Sequence, residues 1–389
     1  MAHSYPSRGG LQSPEGVLLR EIQVNLLECK VCFEKFTAQH SERRPQNLSC
    51  GHVLCLECIR GLSHPLLGKL ECPFCRQLCS VDATSHCQAL CDLQEMLFFI
   101  SACPRMDKEE EVAGVSAKAL HRRATFGGWG ALINPSGVAV MRSSGTMFVV
   151  HDGVERVVVL GPQGKKQNAF GPRGHASGDV CFAVDVAVTP CGHVMVTDAG
   201  DKAVKVFTSR GSHVVTIKAC FALPWGVDTD RRGHILVTDV QAGTLSRLKV
   251  HYKHGVALEE GVVVSNLQHP KALSCCAFTA NTAVMQHPAQ DTQQLTVFTE
   301  DFHLLYRVDT FALQLMSSVK MSGVTFDTNG HLLVVDSQQG MIWSFGTMQS
   351  GPVLTPLVSD QLIRPVGLGA LNNTLVVLDA GDHTLKVYS

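Results

Sequence analysis

The chain has no run of eighteen apolar residues, and its N-terminal stretch lacks the apolar segment of a secretory signal. These absences argue against a membrane-spanning helix and against export. The net charge is −1 over 389 residues, so no overall field attracts nucleic acid or anionic membranes. Aromatic residues are scarce at 6% while Gly contributes 34 residues, which favours turn-rich β structure. A chain of this length is expected to form more than one domain.

Cysteine is unevenly distributed, with eleven of the sixteen residues in positions 1–120. In a secreted protein such crowding would suggest a disulfide framework. Here the cysteines form Cys-x-x-Cys pairs with an interposed histidine, which is the spacing of metal ligands. We therefore expect reduced thiols and an intracellular protein.

Eight residues in this region have the spacing of two zinc sites. Seven thiolates and one imidazole fill two tetrahedral sites and leave no position for water. Closed sites of this kind are structural, so the two predicted zinc ions shape a surface and do not carry out a reaction. The eight ligands are Cys29, Cys32, Cys50, His52, Cys55, Cys58, Cys72 and Cys75.

The segments around the zinc ligands carry two helical patterns. Residues 1–16 are rich in Ser, Pro and Gly and are predicted to be disordered. Apolar spacing predicts a leading helix over 17–28, and a second stripe from Leu90 to Ile100 predicts a helix within 77–120, ahead of a charged linker. These helices either pack on each other or on the zinc domain, or form the interface of a homo-oligomer.

Four further cysteines in the N-terminal part are not needed for the two sites. With His86 nearby a third zinc site is conceivable, but the spacing is irregular and favours buried or inert thiols. The four residues are Cys79, Cys87, Cys91 and Cys103.

From residue 121 to 389 the sequence repeats with a period of about 45 residues. Each copy has a short apolar strand, a Gly or Asn turn, and a second strand that ends in a polar residue. Six copies of this kind predict an all-β propeller with six blades. The strand-end residues, at intervals of 46, 41, 48, 49 and 43 positions, are Asp152, Asp198, Asp239, His287, Asp336 and Asp379.

The repeated aspartates are interpreted as turn caps that accept backbone N–H bonds, because catalysis does not call for six near-identical positions around a ring. His287 breaks the series, and Pro288 and the insertion after it suggest an altered turn in blade 4, not a ligand. The last repeat has only three strands, and residues 122–126 are placed to supply the fourth. We expect this pairing to close the ring, since an open blade edge would leave backbone groups unpaired.

The order of the eight ligands resembles the RING finger family. The resemblance implies a zinc-binding α+β finger over residues 29–76 and a cross-brace between its two sites. The first and third ligand pairs would hold one zinc ion, and the second and fourth pairs would hold the other. The pairs in chain order are Cys29 and Cys32, Cys50 and His52, Cys55 and Cys58, and Cys72 and Cys75.

The same resemblance implies a ubiquitin-protein ligase that docks a ubiquitin-conjugating enzyme without forming a covalent bond to ubiquitin. Arg76 occupies the family's linchpin position, where a guanidinium contacts the enzyme and ubiquitin together. Alternatively, the apolar residues merely cover a small core and Arg76 is a solvated surface residue. The predicted docking residues are Val31, Leu62, Pro73 and Phe74.

The repeat resembles the NHL family, whose fold is the six-bladed propeller predicted for residues 121–389. A RING finger joined to NHL repeats without an intervening B-box resembles ligases that act with the glycogen phosphatase laforin. This implies ubiquitination of glycogen-metabolism proteins for proteasomal or autophagic degradation. It also implies a location in the cytoplasm and nucleus, with association to the endoplasmic reticulum. The segments that carry the resemblance are 27–36, 126–130 and 196–201.

The sequence fits two other functions less well. Some NHL propellers bind RNA, but residues 121–389 carry 21 Lys and Arg against 20 Asp and Glu, which gives little attraction for phosphate. A propeller lyase is disfavoured because neither an export signal nor an open metal site is present. A local basic patch for RNA would have to be formed by Arg122, Arg123, Lys165, Lys166, Arg231 and Arg232.

Overall fold

The computed structural model divides the chain into two compact units, Met1–Ala102 and Cys103–Ser389. The predicted segment 1–16 and nearly all of the predicted leading helix lie outside the described residues. No helix in the described part of the chain is long and apolar enough to cross a membrane. The structure describes residues 26–37, 41–65, 67–91, 93, 115, 120–218, 221–289, 292–309, 320–346, 354–358, 360 and 362–389.

The first unit is a small α+β domain made of very short elements. One antiparallel sheet has three strands, with Pro45–Asn47 in the middle, and a separate hairpin pairs Lys69–Glu71 with Leu78–Ser80. The helix is capped by a predicted zinc ligand, since the Cys55 side chain accepts a hydrogen bond from the Cys58 N–H. The elements are a 3₁₀ helix (Ser41–Arg43), β1 (Pro45–Asn47), β2 (Val53–Cys55), α1 (Leu56–Leu62), β3 (Lys69–Glu71), β4 (Leu78–Ser80) and β5 (Ser85–His86).

This unit extends beyond the last predicted zinc ligand. Strands β4 and β5 belong to the stretch from 77 that the sequence assigned to a helix and linker, and β5 pairs with β1 through Gln46 and His86. Residues 88–91 and 93 are helical, as the apolar stripe predicted, and the rest of that helix lies outside the described residues.

The second unit contains six four-stranded antiparallel sheets, which are the six predicted blades. The strands of blades 1 to 3 are β7 (Gly137–Met141), β8 (Thr146–Val150), β9 (Glu155–Leu160) and β10 (Lys166–Pro172); β11 (Ala183–Val188), β12 (His193–Asp198), β13 (Ala203–Thr208) and β14 (His213–Ile217); and β15 (Pro224–Thr229), β16 (Ile235–Asp239), β17 (Thr244–His251) and β18 (Val256–Val264).

Blades 4 to 6 repeat the same order, except that the outer strand of blade 6 comes from the start of the unit. Their strands are β19 (Leu273–Cys275), β20 (Thr282–Ala289), β21 (Thr292–Phe298) and β22 (Leu304–Asp309); β23 (Met321–Phe326), β24 (Leu332–Asp336), β25 (Met341–Ser344) and β26 (Thr355–Pro356); and β27 (Pro365–Leu371), β28 (Thr374–Asp379), β29 (Thr384–Tyr388) and β6 (Arg122–Gly127).

The blades close into a ring. The first strands of successive blades contact one another in order, and β27 returns to contact β7. Strand β6 pairs with β29, with Thr125 opposite Lys386, so the predicted closure by residues 122–126 is confirmed. Blade 6 therefore joins the two ends of the propeller, because three of its strands come from the C-terminal end and one from the start of the unit. Strand β6 pairs with the backbone groups of β29 that would otherwise lie at an open edge.

Each pair of neighbouring blades encloses one hydrophobic cluster, which gives six clusters around the ring. The second strand of each blade lies between two clusters, and in β12 and β16 Val194, Val196 and Val237 are fully buried. Burying such a side chain stabilises the fold by about 1.5–3 kcal/mol. Val115 and Leu120, from the predicted linker, are buried in the cluster between blades 5 and 6.

The end of the second strand carries the side chain that caps each blade. Asp198 accepts hydrogen bonds from the N–H groups of Cys181 at 2.8 Å, Phe182 at 2.9 Å and Gly200 at 3.1 Å. The interpretation of these aspartates as turn caps is therefore confirmed in blade 2. The same role is filled by Asp239, Asp336 and Asp379.

In blade 1 the predicted capping residue was wrong by one position, and in blade 4, where His287 breaks the series, the cap also lies one position earlier. The place of Asp198 is taken by His151, whose Nδ1 accepts a backbone N–H at 3.1 Å, and by Gln286, whose Oε1 accepts one at 2.8 Å. Asp152 and His287 follow these residues and do not cap. The turn needs an acceptor and not a charge, so an imidazole nitrogen or an amide oxygen serves as well as a carboxylate.

The two rims of the ring differ in the loops they present. We call the rim with the second-to-third strand loops and the segments entering each first strand the cap face. The opposite rim, formed by the first-to-second and third-to-fourth strand turns, is the hairpin face.

Two aspartates inside the ring tie neighbouring blades together. Asp185 on β11 accepts the Val227 N–H at 3.2 Å, and Asp228 on β15 accepts the Cys275 N–H at 2.7 Å. Burial raises the pKa of Asp185 to about 7 and that of Asp228 to about 6, against the opposing effect of these hydrogen bonds.

Candidate zinc centres

The structure gathers the eight predicted ligands into two clusters. In each cluster the ligand atoms all lie within 4.8 Å of one another. The clusters combine the first ligand pair with the third and the second pair with the fourth, which is the interleaved arrangement that the resemblance implied. They consist of Cys29, Cys32, Cys55 and Cys58, and of Cys50, His52, Cys72 and Cys75.

The spacing within each cluster fits a tetrahedral zinc ion. Cys32 Sγ and Cys55 Sγ are 3.8 Å apart, and two thiolates at Zn–S distances of about 2.3 Å with tetrahedral angles are also about 3.8 Å apart. Cys50 Sγ lies 3.6 Å from His52 Nδ1, which identifies Nδ1 as the ligand atom of the imidazole. Both donor sets are closed, so the two zinc ions are structural cofactors.

Two matching turns each present one Cys-x-x-Cys pair, Cys29 and Cys32 in the first site and Cys72 and Cys75 in the second. Phe33 N–H donates to Cys29 O at 2.8 Å, and Arg76 N–H donates to Cys72 O at 2.8 Å. Both Phe33 and Arg76 have positive φ, at 57° and 61°, which non-glycine residues adopt rarely. The backbone is therefore strained directly after Cys32 and Cys75. This turn directs both thiolates of each pair toward one point.

The thiols of the first site need a bound cation to be ionised together. Burial opposes ionisation of Cys29, but backbone N–H groups overcome it and hold the pKa of its thiol at about 7. Burial raises the pKa of Cys55 to about 11, and it also raises the pKa of Cys58. Neighbouring thiols cannot all lose their protons together unless a cation neutralises them, so metal binding and thiol ionisation are coupled.

An arginine braces the first site from outside. Arg43 donates from Nη1 to Cys32 Sγ at 3.7 Å. Its guanidinium also lies 3.3 Å from Glu57 at the start of α1 and 3.7 Å from Glu34 in the first ligand turn. Arg43 thus links three segments that the zinc ion must hold in register, which is the usual task of outer-shell partners.

The extra cysteines do not form a further site with the described ligands. Cys91 Sγ and His86 Nε2 are 3.5 Å apart, but within the described part of the chain no third His, Cys, Asp or Glu completes a metal-binding group with them. Cys79, Cys87 and Cys91 are buried, and Cys103 lies outside the described residues.

The predicted docking residues differ in exposure. Leu62 and Phe74 are each 44% exposed, and Pro73 is exposed as well. Val31 is half-buried and packs against the core of the unit. Phe74 also contacts the ligand His52, with ring centroids 5.1 Å apart, so the second zinc site holds this side chain in place. The roles of these residues in docking stay predictions.

Sequence reasoning passed over one exposed side chain beside the first site. Phe33 is 73% exposed and follows Cys32 just as Arg76 follows Cys75. The equivalence of the two ligand turns was the signal that could have found it. Arg76 itself is exposed, and among the described residues it has no ion pair.

The basic residues considered for RNA do not form one patch. They lie at the hairpin-face ends of strands or turns in blades 6, 1 and 3, which are not three consecutive blades. Two of them are paired with carboxylates, since Arg122 lies 3.3 Å from Asp360 and Arg232 lies 3.2 Å from Glu300. These pairs reduce the charge available to phosphate.

Comparison with known proteins agrees with this geometry. A family model described as a zinc-RING finger domain matches residues 28–77. The chain is 40% identical over 379 residues to the E3 ubiquitin-protein ligase NHLRC1 of Homo sapiens, covering 95% of both chains. It is 28% identical to the human E3 ubiquitin-protein ligase TRIM32 over 53% of this chain and 33% of that protein.

Among solved structures, a gluconolactonase from Xanthomonas campestris matches with a TM-score of 0.50 and 16% identity. The match covers 73% of this chain and 94% of the other, and it concerns the fold alone. The RING match and the full-length similarity to NHLRC1 carry the assignment. The chain belongs to the NHLRC1 (malin) family of RING-type E3 ubiquitin-protein ligases.

Proposed function

We propose that the zinc-binding unit docks a ubiquitin-charged conjugating enzyme and that the propeller recruits the protein to be modified. The observation that carries the first part is the pair of closed zinc centres with exposed apolar side chains at their edges. Leu62 and Phe74 leave much of their surface in water although a core lies beside them. Exposed apolar surface on a small domain is expected of a partner site.

Arg76 is proposed to hold the thioester-linked ubiquitin in a reactive pose. Its backbone is fixed by the second ligand turn, and its guanidinium is free to donate to two partners at once. The substrate amine attacks the thioester of the conjugating enzyme, so the acyl group never resides on this chain. The rate gain then comes from restricting a flexible conjugate.

Single-turnover discharge of a charged conjugating enzyme to free lysine tests this role. Arg76→Ala and Arg76→Lys are expected to slow discharge by about tenfold or more, because neither side chain provides the planar fork. Zinc content should stay at two ions per chain. Arg123→Ala, which removes an exposed arginine of the propeller, is the control and should leave the rate unchanged.

Phe74→Ala separates docking from positioning. It is expected to weaken binding of the conjugating enzyme, whereas Arg76→Ala leaves binding of the uncharged enzyme nearly intact. Unchanged discharge by the Arg76 variants would contradict the linchpin role. Unchanged binding by Phe74→Ala would contradict the docking surface.

The propeller's cap face is proposed as the recruiting surface. Several of its large apolar side chains are exposed, with Val154 at 83% and Trp129 at 76%. On the hairpin face the exposed large apolar residues of the described part are fewer and less exposed: Phe278 in a turn, and Val256 and Leu304 at the starts of β18 and β22. The family resemblance supports laforin and glycogen-metabolism proteins as partners, and degradation of those proteins in the cytoplasm and nucleus, with association to the endoplasmic reticulum. The other exposed apolar residues of the cap face are Ile133, Phe182 and Ile363.

Capture of purified laforin by the full-length chain tests this surface. Val154→Asp places a charge on the cap face without touching the core, and it is expected to weaken capture by about tenfold or more. Phe278→Asp makes the same kind of change on the hairpin face and serves as the matched control. Equal capture by wild type and Val154→Asp, or loss only with Phe278→Asp, would overturn the choice of face.

A further inference from the structure

A second cluster of reactive side chains lies on the cap face of blade 2. Cys181 Sγ is 3.7 Å from His175 Nε2, and His175 Nδ1 is 2.5 Å from Asp201 Oδ1. The order thiol, imidazole, carboxylate is that of a nucleophile, its base and the group that orients the base. These residues are far from the zinc ligands in sequence, and the ligase function does not use them.

The carboxylate sets the tautomer of the imidazole. Lys205 is almost fully buried and donates from Nζ to Asp201 Oδ2 and, at 2.9 Å, to Asp198. Although burial opposes it, the hydrogen bonds from Lys205 and His175 lower the pKa of Asp201, so this carboxyl is ionised and accepts the Nδ1–H of His175. The lone pair on Nε2 then faces the thiol and can accept its proton.

A metal ion fits this cluster poorly. Both oxygens of Asp201 are already engaged, one by His175 and the other by the Lys205 ammonium. An added cation would lie close to that ammonium, and only His175 and Cys181 would remain as ligands. Two ligands fall short of a closed site.

Acyl transfer fits poorly as well, because the backbone N–H groups nearest the thiol in sequence are already engaged and do not serve as an oxyanion hole. The N–H groups of Cys181 and Phe182 both donate to the Asp198 carboxylate, at 2.8 and 2.9 Å. What the geometry leaves is a thiol that can be ionised and reached from solvent, since Cys181 is half-buried and His175 is 72% exposed.

We propose that Cys181 is a site of reversible oxidation by hydroperoxides, with His175 as the base and Asp201 as a positioning residue. His175 takes the thiol proton, and the thiolate attacks one peroxide oxygen. An S–O bond forms and the O–O bond breaks, and the proton on His175 passes to the departing oxygen. The thiol becomes a sulfenic acid while hydrogen peroxide is reduced to water; a small thiol then attacks the sulfur, releasing water and leaving a mixed disulfide.

Trapping of the sulfenic acid in the full-length, zinc-loaded chain tests the proposal. Hydrogen peroxide is added with dimedone, and peptide mass spectrometry follows labelling of Cys181 together with Cys191 and Cys275 in the same sample. Cys181 is expected to label fastest, and His175→Gln to lower its rate about tenfold at pH 7. His303→Gln, which changes an exposed histidine of blade 4, is the control and should have no effect.

The pH profile separates a base from a structural residue. Both His175→Gln and Asp201→Asn should lower the labelling rate most at neutral pH and least at alkaline pH, where hydroxide can replace the imidazole as the base. His175 is mostly in water, so its replacement should leave the thermal unfolding curve unchanged. The charged or titratable side chains that contact this cluster or its segment are Arg156, Asp179, Asp198, Asp201, Lys205 and His213.

Two results would overturn the inference. Equal labelling of Cys181 in wild type and His175→Gln would show that the imidazole does not activate the thiol. A third zinc ion per chain that is lost in His175→Gln would show that the cluster is a metal site.

Discussion

The two units of this chain reach stability by opposite routes. The zinc-binding unit has strands of two or three residues and a core of nine buried residues, four of which are cysteines. The propeller has six hydrophobic clusters, one between each pair of blades. In the first unit metal coordination replaces the core that a small domain cannot build. In the second, stability is divided among similar interfaces.

This difference predicts the largest effect for a zinc ligand. Cys29→Ser removes one ligand from a site whose metal contributes on the order of 10–16 kcal/mol of folding free energy. We expect the zinc-binding unit to unfold, ubiquitin transfer to fall at least about 100-fold, and the propeller to melt at its normal temperature. Zinc content and a two-transition melting curve measure this. Cys191→Ser, a propeller cysteine, is the control; retained zinc and activity in Cys29→Ser would contradict the comparison.

Replacing a core residue where the ring closes should destabilise its unit less than the loss of a zinc ligand does. Tyr388 on β29 is fully buried in the cluster between blades 5 and 6. Tyr388→Ala is expected to lower the free energy of unfolding of the propeller by about 3–5 kcal/mol. Tyr388→Phe keeps the ring and is expected to stay within about 1 kcal/mol of wild type. Denaturant titration of the propeller transition distinguishes them, and equal effects of the two variants would show that packing is not the cause.

Replacing a capping residue should lower the free energy of unfolding by less, and it should disturb only the turn that the residue caps. Asp239 accepts N–H bonds from Ala222, Leu223, Gln241 and Ala242, at 2.7 to 3.1 Å. Asp239→Ala leaves these donors unpaired and should cost about 2–3 kcal/mol. Asp239→Asn retains an acceptor and should cost clearly less, as in the blades that use neutral caps. Hydrogen exchange of the four amides reports the change, and equal exchange in both variants would contradict the capping role.

The sequence predicted those features that depend on residue type at fixed spacing. The eight zinc ligands and the six repeats follow rules of this kind, and the closing strand followed from counting strands. The cap of blade 1 was misplaced because acidity was taken as the marker, and in blade 4 no acidic residue marks the cap at all. His151 and Gln286 meet the same need, an acceptor for a backbone N–H, with different chemistry.

What spacing does not show is contact between segments that the fold brings together. His175 and Asp201 are 26 positions apart, and they meet only because one loop enters blade 2 beside another. The ties from Asp185 and Asp228 span 42 and 47 positions for the same reason. The His175 pair depends on how two loops of blade 2 meet, and the two aspartate ties depend on the angle between neighbouring blades. No local sequence pattern encodes either arrangement.

The smallest predicted effect concerns Asp185, in the interior of the ring. The change of stability with pH that it causes has the opposite sign to the change caused by a carboxyl paired with a cation. Burial raises the pKa of Asp185 to about 7, whereas its unfolded value is about 3.9. Between these values the folded chain binds more protons than the unfolded chain, so the stability of the propeller falls as pH rises from about 4 to about 7. Asp379 differs because the hydrogen bond from Lys386 lowers its pKa despite burial, so its contribution is present at neutral pH and is lost on acidification.

The stability of the Asp185→Asn propeller should therefore fall less as pH rises than the stability of the wild-type propeller. Relative to wild type, its unfolding temperature is expected to gain about 2–4 °C between pH 4.5 and pH 8, which corresponds to about 1 kcal/mol. Asp379→Asn should instead lower stability by a constant amount above about pH 5, since the variant has no charge to pair with Lys386, and this deficit should shrink only below about pH 4. Scanning calorimetry of the propeller transition at several pH values measures both. Parallel slopes for wild type and Asp185→Asn would show that this carboxyl is ionised in the fold like a surface aspartate, and that the interior of the ring is not the low-dielectric environment inferred from its packing.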